Sequence, residues 1–203
     1  MESQLLLPAC YLPPVSYFHI IQENSSPLVI EQYEHFQKQS YRTRARIASA
    51  NGTQDLIVPI QHGNKDRVPM KDIRISYEFD WQRLHWLSIQ TAYRSSAYFE
   101  YYEDDFVRFY REKFEYLLDF NVAQLELLLK SIKLKRTIAL TAEYNGADEH
   151  RVDYRERIHP KKASLLDSPK EYYQVFSDKN GFYPDLSIID LLFNQGPQSK
   201  SYL

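Results

Sequence analysis

Three arginines alternate with other residues over a short stretch: Arg42, Arg44 and Arg46, with Thr43, Ala45 and Ile47 next to them. On an extended strand this spacing puts three guanidinium groups on one face, about 7 Å apart. Their repulsion must be relieved by carboxylates or by a bound anion. One expectation is a solvated face paired with Glu31 and Glu34; the other is a phosphate or carboxylate site. His85 falls inside an apolar segment beside Trp86, with Ser88 three positions on and Tyr93 two turns on. It reads either as a hydrogen-bonded core histidine or as a general base, because imidazole titrates near neutral pH. Ser187, Asp190 and Asn194 share a helix face by their spacing of three and four in an otherwise apolar run. Ser187 and Asp190 can form a capping box. A polar stripe on a buried helix can equally line a site. Cys10 sits in the apolar run Leu5–Tyr11, which suits a buried structural thiol rather than a nucleophile.

The elements that must hold these groups follow from periodicity. Leu5–Leu12 reads as a first buried strand stopped by Pro13-Pro14, Val15–Gln22 as a short helix, and Leu28–Tyr33 as a second strand. Tyr41–Ala50 and Thr53–Ile60 flank Asn51-Gly52, which predicts a hairpin with a type I′ turn. Ile73, Ile75, Tyr77 and Phe79 alternate with polar residues over Asp72–Phe79, which predicts a half-buried strand. From Trp81 the period becomes helical: Trp81–Ser95 first, then a face of Phe99, Tyr102, Phe106, Phe109, Tyr110, Phe114 and Leu117, then a helix after Asn121. Thr137–Tyr144 reads as a strand. Asn145–Ser168 is charged and reads as an ordered loop or a partner-facing segment. Leu186–Phe193 reads as a last helix stopped at Gly196-Pro197. The expected fold is one mixed α/β domain over residues 1–203. A central sheet includes the Asn51-Gly52 hairpin, and helices pack on it.

Composition narrows the function classes. The 203 residues carry a formal net charge of −2, so no basic footprint for nucleic acid exists. A single cysteine excludes an intramolecular disulfide and any multi-cysteine metal site. No metal site or cofactor is expected. No run reaches the length of a membrane span, and the opening Met-Glu-Ser-Gln lacks a basic leader, which points to the cytoplasm. The 17 tyrosines suit sugar rings and nucleobases, and suit a core equally well. No Gly-rich phosphate loop, Gly-x-Ser-x-Gly or His-Glu-x-x-His is present.

Together the motifs resemble a known family. Pro8-Ala9-Cys10-Tyr11-Leu12-Pro13-Pro14 with Tyr17-Phe18 is similar to the opening Gln-Pro-x-Tyr-Phe-Pro segment of the WbqC-like family. Gln37–Arg42 with Arg44, Arg46 and Asn51-Gly52 resembles its Arg-rich hairpin. Pro59, Ile73–Ile75, Trp81, His85-Trp86, Ile89, Ala92-Tyr93, Tyr98-Phe99 and Asn121 follow in family order. The run Phe182-Tyr183-Pro184-Asp185-Leu186-Ser187-Ile188-Ile189-Asp190-Leu191-Leu192-Phe193-Asn194 is the most specific match. Two departures are visible: Leu7 stands at the opening glutamine position, and Gly146–Lys162 replaces a longer Gly-containing segment. The resemblance implies a place in surface-polysaccharide and O-antigen assembly. With the arginine row, it suggests a transferase acting on a nucleotide-linked sugar. In that reading His85 and Asp190 are catalytic, and Arg42, Arg44, Arg46, Tyr93, Ser187 and Asn194 bind the substrate. A non-catalytic binding or assembly protein of the same pathway is the alternative. Asp190 is expected in one cleft with at least one of the three arginines, with His85 on its wall.

Overall fold

A computed structural model describes residues 4–61, 67–144 and 151–203. Four strands run parallel: β1 (Gln4–Leu7), β2 (Leu28–Ile30), β5 (Ile138–Leu140) and β6 (Arg151–Asp153), in the order β5-β2-β1-β6. β1 and β2 are buried on both faces, as parallel strands require, so both read as unbroken apolar runs. Helix α1 (Val15–Glu23) makes the crossover between them. The chain builds outward from β1 to β2 and β5, then sets β6 on the other side of β1. The winding therefore reverses at β1, and the carboxyl ends of β1 and β6 flank that reversal.

Strands β3 (Arg44–Ser49) and β4 (Gly52–Ile57) form the hairpin. Its inward residues Ala45, Ile47 and Leu56 are buried. The mixed α/β class is as expected, but the hairpin stands as its own two-stranded sheet instead of joining the central one. It packs against α2 (Trp81–Tyr93) and α6 (Ile188–Gln195). Its turn also differs from type I′. Ser49 pairs with Gly52, so the turn runs through Ala50 and Asn51, and only Gly52 takes a positive φ, +116°.

Helices α3 (Phe99–Arg111) and α4 (Leu117–Ile132) complete the core, with the one-turn α5 (Ser177–Asn180) near the end. The aromatic face of α3 is buried as its spacing demands, and Phe193 of α6 meets Tyr93, Phe99 and Phe106 edge-on. α4 begins at Leu117, so Asn121 lies within it rather than before it. There its side-chain amide donates to the carbonyls of Ala9 and Arg42, at 3.1 and 2.8 Å. The segment Asp72–Phe79 forms no strand of a ladder. A 3₁₀ turn (Met70–Asp72) precedes it, and single bridges tie Ile75 to Ile60 and Arg74 to Tyr116. Ile73 and Ile75 are buried as the alternation predicts, whereas Phe79 is exposed.

Two segments far apart in sequence, Leu12–Ser16 and Asp185–Ile188, interlock. The Val15 amide donates to Leu186 and the Ile188 amide to Pro13, at 2.9 and 2.8 Å. The Ser187 hydroxyl donates to the Leu12 carbonyl at 2.8 Å. The Ser16 amide, in the first turn of α1, donates to the Asp185 carboxylate at 2.8 Å. Pro13-Pro14 leaves α1 without a capping side chain of its own, and Asp185 supplies the acceptor and the negative charge from the far end of the chain.

Candidate functional site at the carboxyl edge of the parallel sheet

Arg44 and Arg46 do share the outer face of β3. Both turn to one carboxylate, Asp55, which stands directly across from Arg46 on β4. The contacts are 3.3 Å from Arg44 and 2.8 Å from Arg46, and both side chains are partly exposed. Two cations on one anion leave a positive charge in excess.

Arg42 departs from the expected row. It precedes the strand, in the turn that leads into β3, and is 0% exposed. Its guanidinium grips Glu34 with both prongs, Nε to Oε1 at 2.7 Å and Nη2 to Oε2 at 2.6 Å, and Nη1 donates to Gln37 Oε1 at 3.2 Å. Burial pushes the Glu34 carboxyl up, opposed by the hydrogen bonds and charge of Arg42.

Beside this pair lies a second one. Glu31 directly follows the last residue of β2, and Arg155 comes two residues after β6. Glu31 is 0% exposed and Arg155 8%. Glu31 Oε1 is fully used: it accepts from the Tyr33 amide and the Thr141 hydroxyl, each at 2.8 Å. Oε2 accepts no hydrogen bond and sits 3.6 Å from Arg155 Nη1, beyond bonding distance. The rest of the Arg155 guanidinium is held by Asp153 through Nε and Nη2, the latter at 2.6 Å. Arg155 thus comes to Glu31 already oriented. Burial raises the Asp153 carboxyl, but its Arg155 contacts outweigh that and hold it below the usual range. Gln37 bonds Glu156, which brings the loops after β2 and β6 together over the pair.

The segment Asn145–Ser168, expected as an ordered loop or a partner-facing segment, joins the central sheet in its described part. Residues 145–150 lie outside the described residues, but the part that follows supplies an edge strand and the oriented arginine. Its signal is weak because a three-residue strand with two charged ends has no apolar period.

The remaining expected site residues lie elsewhere. His85 is buried on α2, with its ring 5.0 Å from Trp81 and 5.8 Å from Tyr11. Its Nδ1 is 3.0 Å from the Tyr11 hydroxyl, which is 2.9 Å from that of Tyr110. Burial lowers its pKa to about 4, against a smaller opposing effect of the Ile57 carbonyl. The consistent arrangement has Nε2–H facing Ile57 and Nδ1 accepting from Tyr11. Such an imidazole is neutral at pH 7 and a weak base. Cys10 is likewise enclosed, with its thiol pushed up to about 12 by burial. Ser88 is near the surface and accepts from Gln54 at 3.1 Å.

The capping box on α6 does not form. Ser187 gives its hydroxyl to Leu12, and Asp190 turns into the core, where Oδ1 accepts from the Tyr172 hydroxyl and the Gln174 amide, each at 2.8 Å. Tyr93, whose hydroxyl accepts from the Ala48 amide at 3.2 Å, also favours the Asp190 charge. Asn194 donates to the Asp190 carbonyl at 2.8 Å. The chain thus joins Asp190 to Tyr93 but gives each arginine another carboxylate. The Ser187 amide does meet the β3 backbone, donating to the Arg46 carbonyl at 2.7 Å.

Asp190 has a measurable consequence. Burial raises its carboxyl from 3.8 to about 6, against the Tyr172, Gln174 and Tyr93 hydrogen bonds. Below both values the carboxyl is protonated in the folded and unfolded states alike. Between them the folded chain holds a proton that the unfolded chain has lost, so stability falls as pH rises toward 6. Above pH 6 the fold carries the full cost of the buried charge, on the order of 2–3 kcal/mol. Asp190→Asn keeps an acceptor for Tyr172 and Gln174. Denaturant titrations are expected to show it gaining on the parent chain as pH rises from 4 to 7. A constant difference across that range would refute the assignment.

The motifs from Ala9 to Asn121 fall inside the stretch that a known family matches, and the run 182–194 lies beyond it. The WbqC-like protein family matches residues 9–163. The uncharacterized protein Rv1507c of Mycobacterium tuberculosis is 23% identical over 231 residues, covering 100% of this chain and 98% of that one. No solved structure matches the chain.

Proposed function

The chain belongs to the WbqC-like protein family, and from that premise we propose that it is an enzyme of surface-polysaccharide or glycoconjugate assembly, a transferase acting on a nucleotide-linked sugar bound at the carboxyl edge of the parallel sheet. The observation that carries this reading is the unbonded Glu31 Oε2 facing Arg155 Nη1 at 3.6 Å. A buried acceptor without a donor is costly. One ligand group answers both atoms: a hydroxyl, which donates to Oε2 and accepts from Nη1. Sugars present such hydroxyls. The place also fits, since ligands of open parallel sheets bind outside the carboxyl ends of strands where the winding reverses.

In this reading Glu31 accepts the proton of an attacking hydroxyl. The new C–O bond forms at the anomeric carbon as the nucleoside diphosphate leaves with its bonding electrons. Arg155 orients that hydroxyl. Arg44 and Arg46 have charge left over for the diphosphate, while Arg42 shapes the site through Glu34. His85, Asp190, Tyr93, Ser187 and Asn194 then support the scaffold.

Thermal shift against a panel of nucleotide sugars tests this. One member at saturating concentration is expected to raise the melting temperature by several degrees. Glu31→Gln keeps an acceptor for Tyr33 and Thr141, so it is expected to stay folded yet lose that response. No response from any member, with Glu31→Gln differing only in stability, would sink the proposal. The enclosure of His85 by aromatic rings favours a second reading, a non-catalytic binding or assembly protein. The two separate on nucleotide release: binding without release over hours supports the second.

A further inference from the structure

The opposite rim of the central sheet carries a different kind of site. At the carboxyl end of α4, before β5 begins, a groove of about 590 Å³ opens between the helix end and the chain running into the strand. That volume lies within the usual range for small-molecule sites. Its inner wall is apolar, made by Leu129, Leu134 and Ile138. Its rim is cationic, with Lys130, Lys133, Lys135 and Arg136 against one carboxylate, Glu126. This excess of positive charge occurs on a chain whose net charge is −2.

Helix-end cations commonly answer the helix dipole, but here two of the last carbonyls, those of Leu129 and Lys130, already have backbone partners. The Lys133 amide reaches Leu129 and Lys130 through a positive φ of 63°, and the Leu134 amide reaches the Leu129 carbonyl at 2.9 Å. Arg136 is also committed: Nη1 donates to the Asn24 carbonyl at 2.5 Å, and Nη2 bonds the Ser26 carbonyl. No ion pair or hydrogen bond among the described residues holds the ammonium groups of Lys130, Lys133 or Lys135. Three free ammonium groups thus surround an apolar recess.

We propose that this groove binds a phosphate-bearing amphiphile, its anionic head held by Lys130, Lys133 and Lys135 and its apolar body lying on Leu129, Leu134 and Ile138. The lysine stems extend the apolar wall while their heads stay at the rim. The head group and the body are both needed, because exposed lysines hold a free anion weakly in water.

Titration calorimetry with dodecyl phosphate, below the concentration at which it forms micelles, tests the proposal on the intact chain. Saturable binding is expected, weakened about tenfold or more in Lys130→Glu/Lys135→Glu, which costs at least 1.4 kcal/mol of binding energy. Added salt should weaken it as well. Lys133→Gln alone carries the comparison if the double variant fails to melt cooperatively. Binding that is absent, or equal in parent and variant, overturns the site. Equal affinity for inorganic phosphate removes the role of the apolar wall, and equal affinity for dodecyl maltoside removes that of the lysines; either refutes the proposal. Capture by phosphatidylglycerol vesicles without dodecyl phosphate binding would instead make the groove a membrane-contacting face and overturn it too.

Discussion

Arg42→Ala is expected to destabilise the fold by about 3–5 kcal/mol, the range for breaking a buried ion pair from one side. The guanidinium is 0% exposed and makes two short bonds to Glu34, of 2.7 and 2.6 Å. Without it, the burial that raises the Glu34 carboxyl is joined by the Glu31 charge and opposed only by the more distant charge of Arg155, so Glu34 must take up a proton or remain a poorly compensated buried charge. Equilibrium denaturation at pH 7 reads the loss. Arg42→Met/Glu34→Leu removes both charges with similar volume and is expected to recover most of it. That double variant then separates two roles. If it is stable and still answers the nucleotide-sugar panel, the pair is scaffold. If it is stable and silent, the pair shapes the site. A loss below 1 kcal/mol in the single variant would show that the pair is not closed off from solvent.

Gly196→Ala has the second large effect. Gly196 stands at φ +52°, and an added Cβ would lie 2.5 Å from Cγ and Cδ1 of the Tyr98 ring. Tyr98 cannot easily withdraw, since its amide is bonded to the Phe193 carbonyl at 2.9 Å. Backbone strain and overpacking each contribute about 1–3 kcal/mol, so a total of about 3–5 kcal/mol is expected from thermal or denaturant unfolding. Adding Tyr98→Ala removes the clash and leaves the dihedral strain. The alanine at 196 should therefore cost less on that background. An equal cost on both backgrounds would show that the ring contact is irrelevant.

The parts of the fold legible in sequence are those whose information is local. The buried runs of β1 and β2, the helical periods of α1, α2 and α3, and the Gly196 stop each declare themselves within a few residues. The hairpin did so too, although glycine alone took the positive φ and moved the turn back by one residue. The Asp72–Phe79 alternation gave the correct buried face at Ile73 and Ile75 but could not show that no strand lies alongside. The candidate site was legible only in part. Glu31 and Glu34 were visible as partners for arginine. That Glu31 ends a parallel strand, and that Arg155 ends its neighbour but one, depends on strand order, which no local pattern carries. Asp190 likewise looked like half of a capping box, because Tyr172 and Gln174 reach it only through tertiary packing.

The interlock of Leu12–Ser16 with Asp185–Ile188 sets the order in which the chain can mature. The first helix is synthesised well before the carboxylate that caps it, which lies 169 residues further along the chain. Until Asp185 has been made, the amide end of α1 has only water for company, and β1 waits equally for β6 to cover its open side. Loop closure over such a span adds little entropy beyond that of a shorter loop, so the contact is not weak for being distant. It is late. During synthesis β1 therefore stays paired on one side only, with its apolar side chains awaiting cover, until the stretch that carries β6 has followed it.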